Sequence, residues 1–128
     1  RIADIERLGP GGLADERAAR LVAPGSPRKV LDAAREIVAS INVPGYTRTA
    51  RVLGSANIFE DTPHIRAPTL ILVGDLDGVT PLRDCAGPIH QAIKGSRLEV
   101  LAGVAHLIKL EAPDRFNALV CAFFAQNA

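Results

Sequence analysis

The first half of the chain shows the apolar spacing that is typical of amphipathic helices. The clearest stripe follows Pro27 at i, i+4, i+7, i+8 and i+11, and comprises Val30, Ala34, Ile37, Val38 and Ile41. Ser26 suits the N-cap and Pro27 the first position of this helix, and Pro44-Gly45 indicates its end. Two shorter helices are predicted before it, separated by GPGG at 9–12, and a fourth is predicted around Tyr46–Gly54.

The second half alternates strand-like and helix-like patterns. Thr69–Val73 is an uninterrupted apolar run between a proline and a glycine, which is typical of a strand buried on both faces. Arg97–Leu101 predicts a second strand, with a crossover helix over about Leu82–Ile93. The last helix begins at Pro113, and its apolar positions are expected to face a core: Phe116, Leu119, Val120, Phe123 and Phe124. This order predicts a right-handed βαβα unit.

One βαβα unit is too small to cover two apolar parallel strands, which need sheet neighbours and helices on both faces. We therefore expect an α/β fold that is part of a larger sheet, with a helical segment at 1–64 and sheet-forming residues at 65–128. The chain also begins, at Arg1, inside a predicted helix. This start indicates a chain that is either processed or a portion of a longer protein.

Composition narrows the possible functions. The 128 residues are 48% hydrophobic and 23% charged with a net charge of +1, so neither a nucleic-acid nor a membrane partner is expected. Cys85 and Cys121 are too few for a disulfide framework and are expected to be reduced thiols, which favours a cytoplasmic location. The His, Cys and Asp residues lack the spacing of metal ligands, so no metal site is expected.

The loops that follow the two predicted strands contain the residues best suited to catalysis. Asp77 lies in GDLDGVTP at 74–81, and His106 lies in GVAHL at 103–107. Because these loops follow the carboxyl ends of neighbouring parallel strands, the two side chains are predicted to meet within hydrogen-bonding reach. The carboxylate would fix the imidazole tautomer and stabilise the imidazolium that forms when the ring takes a proton.

Each of these residues also has a simpler interpretation. Asp77 precedes a glycine and could be a turn residue, and His106 could be a surface histidine. Asp75 is expected to structure its loop. Glu111 is expected to cap the last helix rather than to take part in chemistry.

The two loops together resemble those of the α/β-hydrolase superfamily. APTLILVGDLDGVTP at 67–81 is similar to the strand and acid loop of that family, with Asp77 at the position of the acid. GVAHL, followed by EAP at 111–113, is similar to its histidine loop, with His106 at the position of the base. The resemblance therefore implies that Asp77 and His106 are catalytic residues.

The helical segment 1–64 resembles, less specifically, the helical cap that α/β-hydrolases insert between their sixth and seventh strands. Within the superfamily, the pattern is most similar to that of 3-oxoadipate enol-lactonases. The similarity lies in RIA at 1–3, GLAD at 12–15, Gly45-Tyr46 and the stretch 106–113. The resemblance implies a serine-type hydrolase of a small ester or lactone that needs no cofactor.

The nucleophile motif of this family, G-x-S-x-G, is absent from the sequence. None of the four serines has glycine both two residues before and two residues after it: Ser26, Ser40, Ser55 and Ser96. We expect the chain to supply the acid and the histidine, with the nucleophile on a missing N-terminal half, and to be inactive alone. The alternative is a non-catalytic remnant that self-associates through its exposed strand edge.

The arginines of segment 1–64 raise the possibility of an acidic substrate. Arg28, Arg48 and Arg51 could bind a substrate carboxylate, but a solvated helix face is the favoured interpretation of these residues. The enol-lactonases usually have a tryptophan in the second cap helix, and this chain has none. A neutral ester therefore stays open as the alternative substrate.

Overall fold

The computed structural model describes residues 1–127, and it has the α/β architecture expected from the sequence. Its helices and strands, in chain order, are α1 Ile2–Arg17, α2 Arg28–Ala39, α3 Val43–Ser55, α4 Ile58–Asp61, β1 Leu70–Gly74, α5 Ala86–Ala92, β2 Arg97–Leu101, α6 Ile108–Glu111 and α7 Pro113–Gln126. Short 3-10 helices follow α1 and α4, at Ala18–Arg20 and Thr62–His64. In residues 1–127, no helix is both long and apolar enough to cross a membrane.

The two strands pair in parallel, from Leu70 opposite Arg97 to Gly74 opposite Leu101. The carboxyl ends of both strands are buried, at Val73 and Leu101. The first three residues of β1 are only half-buried, and this departs from the prediction of a strand buried on both faces. The reason is that β1 has a strand on one side only within the part of the chain described here.

The helical segment has a core between α1 and α2. Gly9, with φ of +64°, breaks α1 into two straight pieces, and Pro10 starts the second piece. The predicted break between two helices is therefore one residue long. The buried side chains of this core are Ile5, Leu13, Ala14 and Val38.

Three predictions for α2 are wrong: its cap, its end and the burial of Ile37. The helix ends at Ala39 rather than at Pro44-Gly45, which lies inside α3. The helix begins at Arg28 with Pro27 at the N-cap position, so Ser26 lies one residue too early to cap it. The hydroxyl of Ser26 donates instead to Glu111. Ile37 is 50% exposed, because it lies at the edge of the apolar stripe, beside a cleft that it shares with Leu107.

The prediction that α7 faces a core holds only in part: Leu119 packs against the buried cluster Leu101, Val104 and Ala112, and the rest of the apolar side stays accessible. None of its described residues is buried, and Phe124 is 65% exposed. The apolar side of the helix borders an open groove of 360 Å³ together with two residues of β1; the lining residues are Leu70, Leu72, Phe116, Val120, Phe123 and Phe124. The groove is open because nothing in residues 1–127 covers β1 on this side.

The carboxyl end of β1 packs directly on the backbone of the loop that contains His106. The N–H of Asp75 donates to the carbonyl of Leu101 at 3.1 Å, and that of Leu76 donates to the carbonyl of Val104 at 3.0 Å. Gly74 lies so close to the loop that a Cβ atom would collide with the carbonyl oxygens of Val104 and Ala105. A glycine is therefore needed where the two loops meet.

Replacing Gly74 by alanine should lower the free energy of unfolding by about 1–3 kcal/mol, because the new Cβ forces two backbone carbonyls away. Urea unfolding followed by circular dichroism measures the change. Gly78→Ala is the matched control, since a Cβ there meets nothing within 4 Å. Equal unfolding midpoints for the two variants would contradict the packing described for Gly74.

Candidate functional site

Asp75 ties the two loops together. Its Oδ1 accepts hydrogen bonds from the N–H groups of Gly103, at 2.7 Å, and Val104, at 3.3 Å. The side chain thus has the loop-structuring role that the sequence predicts. It also fixes the loop of Asp77 relative to that of His106.

Asp77 is buried and uses both carboxylate oxygens. Oδ1 accepts from the backbone N–H groups of Val79, at 2.8 Å, and Thr80, at 2.9 Å. Oδ2 accepts from the hydroxyl of Thr80 at 2.9 Å and from Nδ1 of His106 at 3.0 Å. The turn interpretation and the pairing interpretation are therefore both correct, one for each oxygen.

The surroundings of Asp77 favour its ionised form. Burial by itself raises the pKa of this carboxyl, but the N–H of Thr80, the ring of His106, the N–H of Val79 and the hydroxyl of Thr80 all hydrogen-bond to the carboxylate and lower the pKa. The net result is a pKa below the ordinary value for aspartate. The site therefore holds a buried, charged acceptor against an imidazole.

His106 presents one ring nitrogen to Asp77 and keeps the other on the opposite side of the ring. The hydrogen bonds of this ring within residues 1–127 both involve Nδ1. With Nδ1–H donating to Asp77, Nε2 is the unprotonated nitrogen that can take a proton. Since the side chain is 32% exposed, a reacting group has access to the ring.

Thr80 also belongs to the site. In the sequence it is apparent only as part of the motif GDLDGVTP at 74–81. Its hydroxyl donates to Asp77 and lies 3.3 Å from Nδ1 of His106. The three side chains thus form a closed triangle. The available signal was the three-residue spacing from Asp77, at which a Thr hydroxyl can reach back to a turn carboxylate.

Glu111 does not cap α7, so that prediction is wrong. The N-cap position of α7 is Ala112, with no side-chain cap. The Glu111 carboxylate instead accepts hydrogen bonds from Ala23, Ser26 and Ala105. Two of these partners lie 85 or more residues away in sequence, so no local pattern could have indicated them.

Two neighbouring clefts reach the site from the side of segment 1–64. The larger, of 540 Å³, is lined by Arg1, Arg17, Arg20, Leu21, Gly78 and Val79. The smaller, of 230 Å³, also borders Arg17 and Val79, and it reaches the His106 ring. The structure thus places cationic side chains beside the acid loop.

The three arginines singled out from the sequence do not line either cleft. Arg28 is exposed and pairs with Asp32 on its own helix, at 2.9 Å. Arg48 and Arg51 are exposed on α3. These residues therefore lie on solvated helix faces, the interpretation that the sequence favoured, and the clefts are lined by the face of α1 and the turn after it.

A third cleft, of 420 Å³, borders the other side of the Asp77–His106 pair. Apart from Asp77, Thr80 and His106 its lining is mostly apolar and includes Ile71, Val73 and Ile89. Cys85 also lines this cleft. Across residues 1–127, His, Cys, Asp and Glu side chains nowhere form a group of three or more that could hold a metal ion.

The chain is similar to several known proteins. No protein-family model matches it. It is 39% identical over 64 residues, half of this chain, to a Synechocystis protein whose name assigns it to the non-heme chloroperoxidases. It is 33% identical over 79 residues, 62% of this chain, to 3-oxoadipate enol-lactonase 1 of Acinetobacter baylyi.

Among solved structures, an esterase from Exiguobacterium antarcticum superposes on 95% of this chain with a TM-score of 0.83 and 24% sequence identity. The chain covers 45% of that esterase, and the two sequence alignments cover 23% and 29% of the relatives. The chain thus spans less than half the length of the proteins it resembles. It has part of an α/β-hydrolase fold and resembles the enol-lactonases in sequence.

Thr80→Val should raise the pKa of Asp77 toward its ordinary value, because it removes one hydrogen bond to the carboxylate while keeping the shape of the side chain. A pH titration of the Asp77 carboxyl carbon by NMR measures the change. Because the folded-state pKa is the lower one, ionised Asp77 stabilises the fold above the unfolded-state pKa of about 4. That contribution is lost as the pH falls through the folded-state pKa.

Thr80→Ser is the control for this titration, since it keeps the hydroxyl and should leave the midpoint close to that of the unchanged chain. If the Val and Ser variants titrate alike, the Thr80 hydroxyl does not hold the carboxylate.

Proposed function

We propose that this chain, which has part of the α/β-hydrolase fold, supplies the acid and the base of a serine-type hydrolase that cleaves a small ester or lactone. The observation that supports the proposal is the 3.0 Å hydrogen bond from Nδ1 of His106 to the buried carboxylate of Asp77. A surface histidine has no need of a buried, ionised partner, whereas a general base does. Similarity to an esterase fold and to an enol-lactonase sequence points to the same bond type.

In the proposed reaction, Nε2 of His106 takes the proton of a serine hydroxyl as that oxygen attacks the substrate carbonyl. The imidazolium then gives the proton to the leaving alkoxide, and a second cycle with water releases the acid. Asp77 stays ionised throughout, because hydrogen bonds from Thr80 and Val79 keep its pKa low. This chemistry requires neither a metal nor an organic cofactor.

The serine and the oxyanion donors would come from the rest of the fold. In the proposed assembly, 65–128 is the carboxyl-terminal part of the hydrolase core and 1–64 is the cap. The uncovered side of β1 and the groove that it forms with α7 are where the remaining half would pack. A second copy of this chain on the same surface is the alternative partner, and it would leave the pair without a nucleophile.

The clefts favour a substrate with an acidic group. Arg17 and Arg20 line the larger cleft, and Arg17 also borders the smaller one, which reaches His106. Arg17 already binds Asp4, whereas Arg20 is exposed, so a substrate carboxylate would meet at least one arginine fork. A neutral short-chain ester, held by the apolar cleft on the other side, is the alternative substrate.

A chimera tests the catalytic proposal. Joining this chain to the N-terminal half of the Exiguobacterium antarcticum esterase should give hydrolysis of p-nitrophenyl acetate, whereas the chain alone should show no turnover. His106→Ala and Asp77→Asn should each lower kcat of the chimera by about 10³-fold or more, because they remove the base or its orientation.

Two control variants belong to that experiment. His64→Ala and Asp84→Asn change exposed residues of the same types outside the site and should leave kcat within about twofold, as surface substitutions do. A chimera that keeps its activity without His106, or a chain that turns over the ester alone through another residue, would contradict the assignment.

The same chimera distinguishes acidic from neutral substrates. Arg20→Ala should raise KM for p-nitrophenyl hemisuccinate about tenfold, through loss of a charge-assisted hydrogen bond, and leave KM for p-nitrophenyl acetate unchanged. Arg48→Ala, an exposed arginine on α3, is the matched control. If Arg20→Ala changed KM for both esters equally, the proposal of an acidic substrate would be wrong. The hydrolase proposal would be unaffected.

A further inference from the structure

The carboxylate of Glu111, the last residue of α6, joins two parts of the chain that lie far apart in sequence. Its Oε1 accepts from the N–H of Ala23 at 2.5 Å and from the hydroxyl of Ser26 at 3.1 Å. Its Oε2 accepts from the N–H of Ala105 at 2.9 Å. The first two partners lie in the connection before α2, and the third immediately precedes His106.

His106 is consequently held on both sides by the connection Leu21–Ser26, which we name the connecting segment. The N–H of Leu107 donates directly to the carbonyl of Leu21 at 3.0 Å. The N–H of Ala105 reaches the same segment through Glu111. Because Ala105 is 98% buried, this N–H needs a partner from within the protein.

The chemistry of the contact calls for a carboxylate rather than an amide. Three donors converge on the two oxygens of Glu111, and both oxygens must accept. A glutamine at this place would offer one oxygen and turn an NH₂ group toward a donor on the other side. Either the connecting segment or the histidine loop would then lose its partner.

We propose that Glu111 is a positioning residue, which couples the connecting segment to the orientation of the His106 ring. The proposal rests on the proposed function, since ring orientation matters for catalysis only if His106 is the base. Helix α2 follows the connecting segment directly, so a shift of the segment 1–64 over a substrate would reach the imidazole through Glu111 and Leu107. The base would thereby respond to the placement of the cap.

NMR of the full 128-residue chain tests this coupling without any need for turnover. Glu111→Gln should speed amide hydrogen exchange at Ala23 or Ala105 by about tenfold or more, because one of them loses an acceptor. It should also shift the ring ¹⁵N resonances of His106, which report the Nδ1–H tautomer bound to Asp77. Glu36→Gln, on the exposed face of α2, is the matched control and should change neither.

Ser26→Ala is the second variant, and it answers the question even if Glu111→Gln does not fold. It removes one of the two hydrogen bonds that tie the connecting segment to Oε1 of Glu111, so the segment is held less firmly, and the same changes should occur in the same direction and be smaller. Unchanged exchange in both variants, or faster exchange with an unmoved His106 ring, would overturn the positioning role.

The failure of the proposed function has a different signature. In that case the chimera with the esterase half would keep its activity without His106, whatever the Glu111 variants do to hydrogen exchange and to the ring resonances. If the ring resonances of His106 stayed the same after the loss of the Glu111 carboxylate, the positioning role of Glu111 would be wrong. The proposed function would be unaffected.

Discussion

A buried carboxylate has to be satisfied completely, and this constraint organises the candidate site. Asp77 lies in the loop just after β1 and is buried. Burying a carboxylate without hydrogen-bond partners would cost so much free energy that the group would become neutral or move into solvent. Backbone and side-chain donors from Val79 and Thr80, together with the ring of His106, provide them. The turn that follows β1 and the loop that follows β2 thus both donate hydrogen bonds to one carboxylate. The imidazole of His106 is one of these donors, in place of water.

The close approach of the two loops is the second requirement for this arrangement. Strand pairing brings Gly74 level with Leu101, and the absence of a side chain at Gly74 lets the backbone of residues 104 and 105 pass directly over it. Asp75 then fixes the start of the second loop through its carboxylate. Strand pairing, backbone packing at Gly74 and the hydrogen bond of the Asp75 carboxylate therefore all hold the two loops in the same relative position.

Sequence patterns predicted well those features that depend on neighbours within a few residues or on adjacent strands. The bounds of β2, the parallel order and the meeting of Asp77 with His106 belong to this class. Patterns failed where a side chain is shared between distant segments, as with Ser26, whose hydroxyl turns to Glu111 instead of capping its own helix. For α7 they were right only at Leu119, because the burial of an apolar face depends on what packs against it, and apolar spacing does not reveal that.

Asp77 and His106 both come from a single strand–helix–strand unit and lie 29 residues apart in sequence. Their mutual geometry is therefore a local property of a continuous piece of chain, which recombination can move as one module. Under the proposed function, such an exchange would have to rebuild the distance from Nε2 of His106 to a nucleophile on another strand. In a hydrolase assembled in this way, the Asp77–His106 pair would keep its geometry, and only the fit between the two halves would have to be optimised.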